Sequence, residues 1–250
     1  MTLEEVVKRP NYYGFVNEVI AKIPDTRTGP ETVNLLDEAT RLIGADVAVF
    51  TSFIRDDVSH ESYRFLIACE PRFCAEYTQR SWFSNDPCLL HAATRSEPCR
   101  LSDLKVLSRG QQVLLEKAGE FGFRSGAVFP TPAAGGISRT GVLTLGSKQL
   151  GFFEGEGFSS VRLVGRTLAM ELHEWWIRHV RMQLLMDARL TNEEIELLMM
   201  ERQGLKSKEI ASHLGVKPAS IDSRFQRLIA KLNVANRAAA ARLAVDYGLI

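Results

Sequence analysis

The 250 residues predict an α+β protein: an N-terminal α/β/α sandwich built on an antiparallel sheet, followed by a small all-α domain of four helices. Three observations carry that expectation. Short segments rich in β-branched and aromatic residues, flanked by helical stretches, fill the first ~175 residues. Apolar residues at helical spacing, punctuated by glycines, fill the last ~60. A hydrophobic fraction of 45% with 24% charged residues over this length suits two globular cores and excludes a disordered or fibrous chain.

In chain order, residues 11–23 and 31–43 have helical periodicity and are separated by the Pro and Gly loop PDTRTGP. The pattern then changes to strands at 46–54, 63–68, 126–132 and 141–147, each short and apolar enough to lie in a half-buried sheet. Helices are expected near 72–83, 87–95 and 109–121, and a long one from about 157 to 181 with Phe158, Val161, Val164, Leu168, Leu172, Trp175 and Val180 in one stripe. Helices before, between and after a mostly antiparallel sheet make the sandwich. Trp175, Trp176 and Met182 approach the domain junction, where a second chain could cover them. A linker is expected at 182–189, so the domains read 1–181 and 190–250.

In the second domain Thr191 and Glu194 form a capping box, and Ile195, Leu198 and Met199 give one apolar face. Gly204 closes that helix. Residues 207–232 read as two helices joined at a tight corner, because Gly215 can take the positive φ that ends the first and Pro218 presets the first turn of the second. Ile210, Ala211 and Leu214 on one segment face Ile221, Phe225, Leu228, Ile229 and Leu232 on the other. This is a helix-turn-helix in outline. The opposite face of the second helix carries Ser220, Asp222, Ser223, Arg224, Gln226, Arg227 and Lys231, short polar groups suited to base edges among cations suited to phosphates. Lys206 and Lys208 precede it, Arg237 and Arg242 follow, and Asn236 can cap a last helix that runs to Gly248.

Charge alone does not announce nucleic acid: the net charge is +1, and residues 187–250 hold 10 Lys and Arg against 8 Asp and Glu. The distribution matters more than the sum. Cys69, Cys74, Cys88 and Cys99 form neither a CxxC pair nor a cluster with His, so a metal site, a cofactor and a disulfide scaffold are not expected. No run reaches the ~18 apolar residues of a membrane span and no leader pattern opens the chain, which implies a cytoplasmic protein. His60, His91, His173, His179 and Asp46 are too scattered for a catalytic triad, so an enzyme is not expected.

The ordered series LTxxExxLL at 190–198, Gly204, EIAxxL at 209–214, Ser220 and Ile221, Lys231 and Leu232, Asn236 and Arg237, and the final GLI resembles the DNA-binding domain of LuxR-type quorum-sensing regulators. Lys217 stands where the family usually has a Ser cap, and Arg224 where it has a His. In the run at 69–87, Phe73, Tyr77 and Asp86 followed by Pro87 resemble the pocket signature of the same family's autoinducer-binding domain, with Gly126 and Thr144 near two further family positions. The resemblance implies an N-acyl-homoserine lactone whose amide N–H is accepted by Asp86 and whose acyl carbonyl meets Tyr77 and Thr144. It also implies Asp222, Ser223 and Gln226 as base readers, with Arg224, Arg227 and Lys231 on phosphate. The partners implied are operator DNA, a second copy of the chain and the small-molecule signal; RNA polymerase is a further candidate. Phe73 replaces a Trp whose N–H would bind the lactone carbonyl, Cys69 replaces a Tyr and Leu101 a Trp. The missing bond is worth about 0.5–1.5 kcal/mol, which weakens lactone binding without forbidding it. A regulator answering a non-lactone molecule, or acting without ligand, is the alternative.

Overall fold

The computed structural model describes residues 1–54, 62–132 and 139–250. Two compact units divide the chain between Trp175 and Trp176. The first opens with helices α1 (Leu3–Val7), α2 (Tyr12–Ile20) and α3 (Gly29–Ile43). Reciprocal capping explains where two of them start: Thr2 with Glu5, and Thr28 with Glu31, each satisfy first-turn donors. Strands β1 (Val47–Ile54), β2 (Arg64–Ala68), β3 (Cys99–Arg100), β4 (Ser125–Thr131) and β5 (Arg139–Ser147) form one antiparallel sheet in the order β2-β1-β5-β4-β3. Helices α4 (Pro71–Gln79), α5 (Pro87–Thr94) and α6 (Arg109–Glu120) end within four residues of the expected ranges, and β3 is the strand the periodicity missed because two residues carry no alternation.

The sheet's two faces have different tasks. Val49 and Thr51 on β1, Val142 and Thr144 on β5, and Val128 on β4 share one face through the pairings Val49↔Thr144, Thr51↔Val142 and Val128↔Thr144. Phe50, Leu143 and Phe129 point the other way, as a period of two requires, and all are fully buried. Helix α7 (Phe158–Asp187) covers that second face: its Gly165 approaches the Phe129 ring so closely that a Cβ would sit 2.4 Å from it. Trp175 is buried within this unit, and its indole N–H donates to the Thr26 carbonyl at 3.1 Å. The long helix does not stop near 181 but continues to Asp187, since Met182–Met186 carries no Gly or Pro to end it.

The second unit holds α8 (Asn192–Arg202), α9 (Ser207–Leu214), α10 (Pro218–Leu232) and α11 (Arg237–Asp246). Thr191 and Glu194 make the expected capping box, Gly215 takes φ +67° at the corner, and Lys217 caps α10 without a side-chain bond. Leu198, Ile210, Ile221, Phe225, Leu228, Ala240 and Ala244 form its core. One expected face is rotated: Leu197, Leu198 and Met200 point inward, while Ile195 is half-buried and Met199 is 44% exposed. Four consecutive apolar residues at 197–200 leave the helix face ambiguous, and packing against α11 selects it.

Candidate functional site

Helix α4 starts at Pro71, whose missing N–H is unneeded in a first turn, and presents Phe73 and Tyr77 one turn apart on its buried face. A turn through Ser81, at φ +51°, leads by way of Trp82–Asn85 to Asp86. Asp86 is the N-cap of α5: its Oδ1 accepts the Cys88 N–H at 2.7 Å. Its Oδ2 accepts the Tyr77 hydroxyl at 2.7 Å. Two helices are thus tied at one carboxylate. Asp86 keeps part of its surface at solvent, but its carboxylate turns inward, and burial pushes its pKa up while bonds from Tyr77, Cys88 and Leu89 pull it back. Burial, with Asp86 beside it, drives the Tyr77 hydroxyl well above its usual range, so it stays a donor.

These groups bound a cavity of ≈ 60 Å³ between the helices and the sheet. Val49, Phe65, Phe73, Leu114, Phe123 and Val142 supply apolar wall, and Thr51, Tyr77, Asp86 and Thr144 supply oxygen. The volume falls below the ~300–1,000 Å³ of typical small-molecule sites, so an occupant must part side chains rather than enter a rigid hole. Flexible walls of Leu and Phe allow that. The arrangement can accept an N–H at Asp86 and donate from hydroxyls to a carbonyl, with an apolar chain packed among rings. Among the described residues no group of three His, Cys, Asp or Glu is placed to hold a metal. His91, His173, His179 and Asp46 stay apart from this cavity's wall, and His60 lies outside the described residues.

Of the residues expected here, Phe73, Tyr77, Asp86, Leu101 and Thr144 line the cavity together. Cys69 and Gly126 do not. Cys69 packs behind the wall on the Phe73 and Tyr77 cluster. Gly126 acts through Leu101, because a Cβ there would lie 2.5 Å from the Leu101 Cδ1. Sequence reasoning missed Cys74, Cys88, Leu114 and Phe123, which also line the space. The signal for Cys74 and Leu114 was their i+1 and helical-stripe placement; Phe123, at the end of a loop, offered none.

The second unit presents α10 as an exposed helical face. Ser220, Ser223, Gln226 and Arg227 stand in solvent, as do Lys206 and Lys208 around the start of α9. Three other residues of that face are engaged within the unit. Asp222 accepts the Ser207 hydroxyl at 2.6 Å and meets Arg237 at 3.6 Å. Arg224 pairs with Glu193 at 3.8 Å, and Lys231 donates to the Arg189 carbonyl and to Glu194 at 2.7 Å each. Against the upward push of burial, bonds from Lys231 and Thr191 hold the Glu194 carboxyl below its usual range. Arg237, read from sequence as part of the basic surface, is instead a clasp: it stacks on Phe225 at 3.7 Å and bonds Glu201 and Ser207. Gly and Pro punctuation exposed the helices, but nothing local marked which cations fold back.

Comparison with known proteins gives the following. Residues 30–174 match the family model "Autoinducer binding domain", and residues 188–244 match "Bacterial regulatory proteins, luxR family". The transcriptional activator proteins AhyR of Aeromonas hydrophila and AsaR of Aeromonas salmonicida are each 24% identical over 245 residues, covering 93% of this chain and 91% of those proteins. The crystal structure of Escherichia coli SdiA superposes with a TM-score of 0.75 at 17% identity, over 96% of this chain and 99% of that one. SdiA in complex with octanoyl-rac-glycerol gives 0.69 at 15% identity, over 97% and 98%. These structures share the fold described above.

Proposed function

The chain belongs to the LuxR family of autoinducer-binding regulators with a DNA-binding domain, and from that premise we propose that its first domain encloses an N-acyl-homoserine lactone and that a homodimer reads operator DNA through α10. The observation that carries the reading is the Tyr77–Asp86 pair at 2.7 Å, set in the wall of an otherwise apolar cavity. A carboxylate in such a place needs a donor to replace water, and a ligand amide supplies one. Thr144, on the strand face opposite, completes a polar end; Phe65, Phe73 and Phe123 receive an acyl chain. Residues 1–181 act as the signal-binding and dimerising part and 190–250 as the DNA-binding part. Ligand binding stabilises the first domain by mass action and favours the dimer, which sets two α10 helices in successive major grooves. Ser223 and Gln226 read base edges, Arg227, Lys206 and Lys208 meet phosphate, and Asp222, Arg224 and Lys231 contribute once their internal partners are exchanged for DNA.

A second reading is a ligand without a lactone ring. Phe73 supports it, since this side chain has no donor for a lactone carbonyl, and a structure of SdiA, with the same fold, is of its complex with octanoyl-rac-glycerol. Native mass spectrometry of protein expressed in the presence of octanoylglycerol and N-acyl-homoserine lactones of graded chain length tests both. Retention of a lactone mass by the wild type and its loss from Asp86→Ala is the expected result. Retention of octanoylglycerol in its place selects the second reading, and retention of neither, with no thermal shift, overturns the cavity assignment.

A further inference from the structure

Beyond the cavity's polar end, the start of α4 brings two thiols together. Glu70 is the N-cap of α4, so Cys69 occupies the position before the cap and Cys74 the fourth helical position. Those two positions face each other at a helix start, where apolar pairs commonly pack. Here both are cysteines, both half-buried and free, and both packed on the Phe73 and Tyr77 cluster. Each thiol is a leading influence on the other's pKa, as only close neighbours are, and the Cys69 Sγ also reaches the Glu70 carbonyl at 3.8 Å. Cys74 also lines the cavity, so any change in it is a change in the cavity wall.

We propose that Cys69 and Cys74 are an oxidisable dithiol, a site at which a hydroperoxide closes an intrachain disulfide across the first turn of α4. The roles are unequal. The neighbouring Cys69 thiol holds the Cys74 pKa below the usual value, while Cys74 and burial push Cys69 up. Cys74 also lies near a helix N-terminus, which favours a thiolate. Cys74 is therefore the attacking sulfur. Its thiolate attacks one peroxide oxygen; the S–O bond forms, the O–O bond breaks, and the departing hydroxide takes up the proton that Cys74 shed, giving a sulfenic acid and water. The Cys69 sulfur then attacks the Cys74 sulfur; the S–S bond forms, the S–O bond breaks, and the leaving hydroxide takes the Cys69 proton as a second water. Two thiols lose two electrons and one peroxide gains them. A dithiol reductant reverses the reaction by exchange. Cys88 and Cys99 are poorer targets, since burial first of all, with neighbouring acids, raises both thiols.

Arg72 lies between the two cysteines, which makes the test direct. Trypsin separates peptide 65–72, holding Cys69, from peptide 73–80, holding Cys74. Full-length protein treated with a small excess of hydrogen peroxide, blocked with N-ethylmaleimide and digested without reductant is expected to yield the two peptides joined, lighter than their sum by two hydrogens. Dithiothreitol should release them. Cys69→Ser should abolish the link and leave a sulfenic acid on Cys74 that dimedone traps, whereas Cys99→Ser should keep the link. The proposal is overturned if the peptides remain separate while free glutathione in the same tube is oxidised. It is equally overturned if Cys88 or Cys99 reacts first, or if a mixture of isotopically labelled and unlabelled protein shows the link joining two chains.

Discussion

In the first unit the groups that carry the candidate chemistry, Tyr77 and the carboxylate of Asp86, are turned into an apolar wall. In the second, Ser223, Gln226 and Arg227 stand in water on a helix whose other face is core. An enclosed carboxylate has lost its hydration and is held by two hydrogen bonds, so each partner removed leaves another unsatisfied. An exposed glutamine keeps its hydration, so removing it leaves no buried partner unsatisfied, and the proposed contact with DNA is the only place its loss would register. Stability and function are therefore entangled around Asp86 and separable on α10.

The largest expected effect comes from the buried side of α10. Phe225→Ala removes a ring that is 1% exposed and the surface on which Arg237 stacks, and should cost ~3–5 kcal/mol. Urea denaturation should show the second unit unfolding early while the first unit's transition stays in place. An unchanged transition would refute the place of Phe225 in the second unit's core. Asp86→Ala comes next: it removes the α5 cap, strands the Tyr77 hydroxyl and deletes the acceptor proposed for the ligand amide. Loss of a hydrogen bond to a charged group, ~1.5–3 kcal/mol, should weaken lactone affinity about 10- to 150-fold in calorimetry. Operator binding by the isolated second unit lies outside its reach.

Gln226→Ala should leave urea denaturation unaltered and relax preference at one base position by ~1–3 kcal/mol in a randomised-operator selection. An unchanged preference would remove Gln226 from the readout. The smallest effect at neutral pH belongs to His173, buried on α7 with both ring nitrogens unpartnered. Burial, with Arg139 nearby, lowers its pKa from 6.5 to about 4. The folded state thus prefers neutral imidazole, and the unfolded state binds the proton more readily. Its contribution is complete above pH 6.5 and is lost as pH falls toward about 4. His173→Gln should flatten that acid limb in thermal melts taken across this range.

Elements were legible wherever one turn or one strand carries its own signal. Thr191 with Glu194, Pro218 after Gly215, and the alternating strands each act within a few residues, so the structure places them where the pattern does. The Tyr77 and Asp86 spacing was legible too, but through a resemblance, and what the two residues do to each other was not. Gly126 is instructive, for it belongs to the site only by leaving room for Leu101.

Periodicity and capping chemistry by themselves determined that this chain folds as a helix-flanked sheet followed by a helix-turn-helix unit, because those signals are local. Tertiary structure decided which face of α8 is buried, that Arg237 clasps Phe225 while Lys231 turns to Glu194, and that Val49, Thr144 and Asp86 bound one space. Each of those outcomes depends on strand register or on helices remote in sequence, and a side chain's partner across such a distance is chosen by packing, not by its neighbours in the chain.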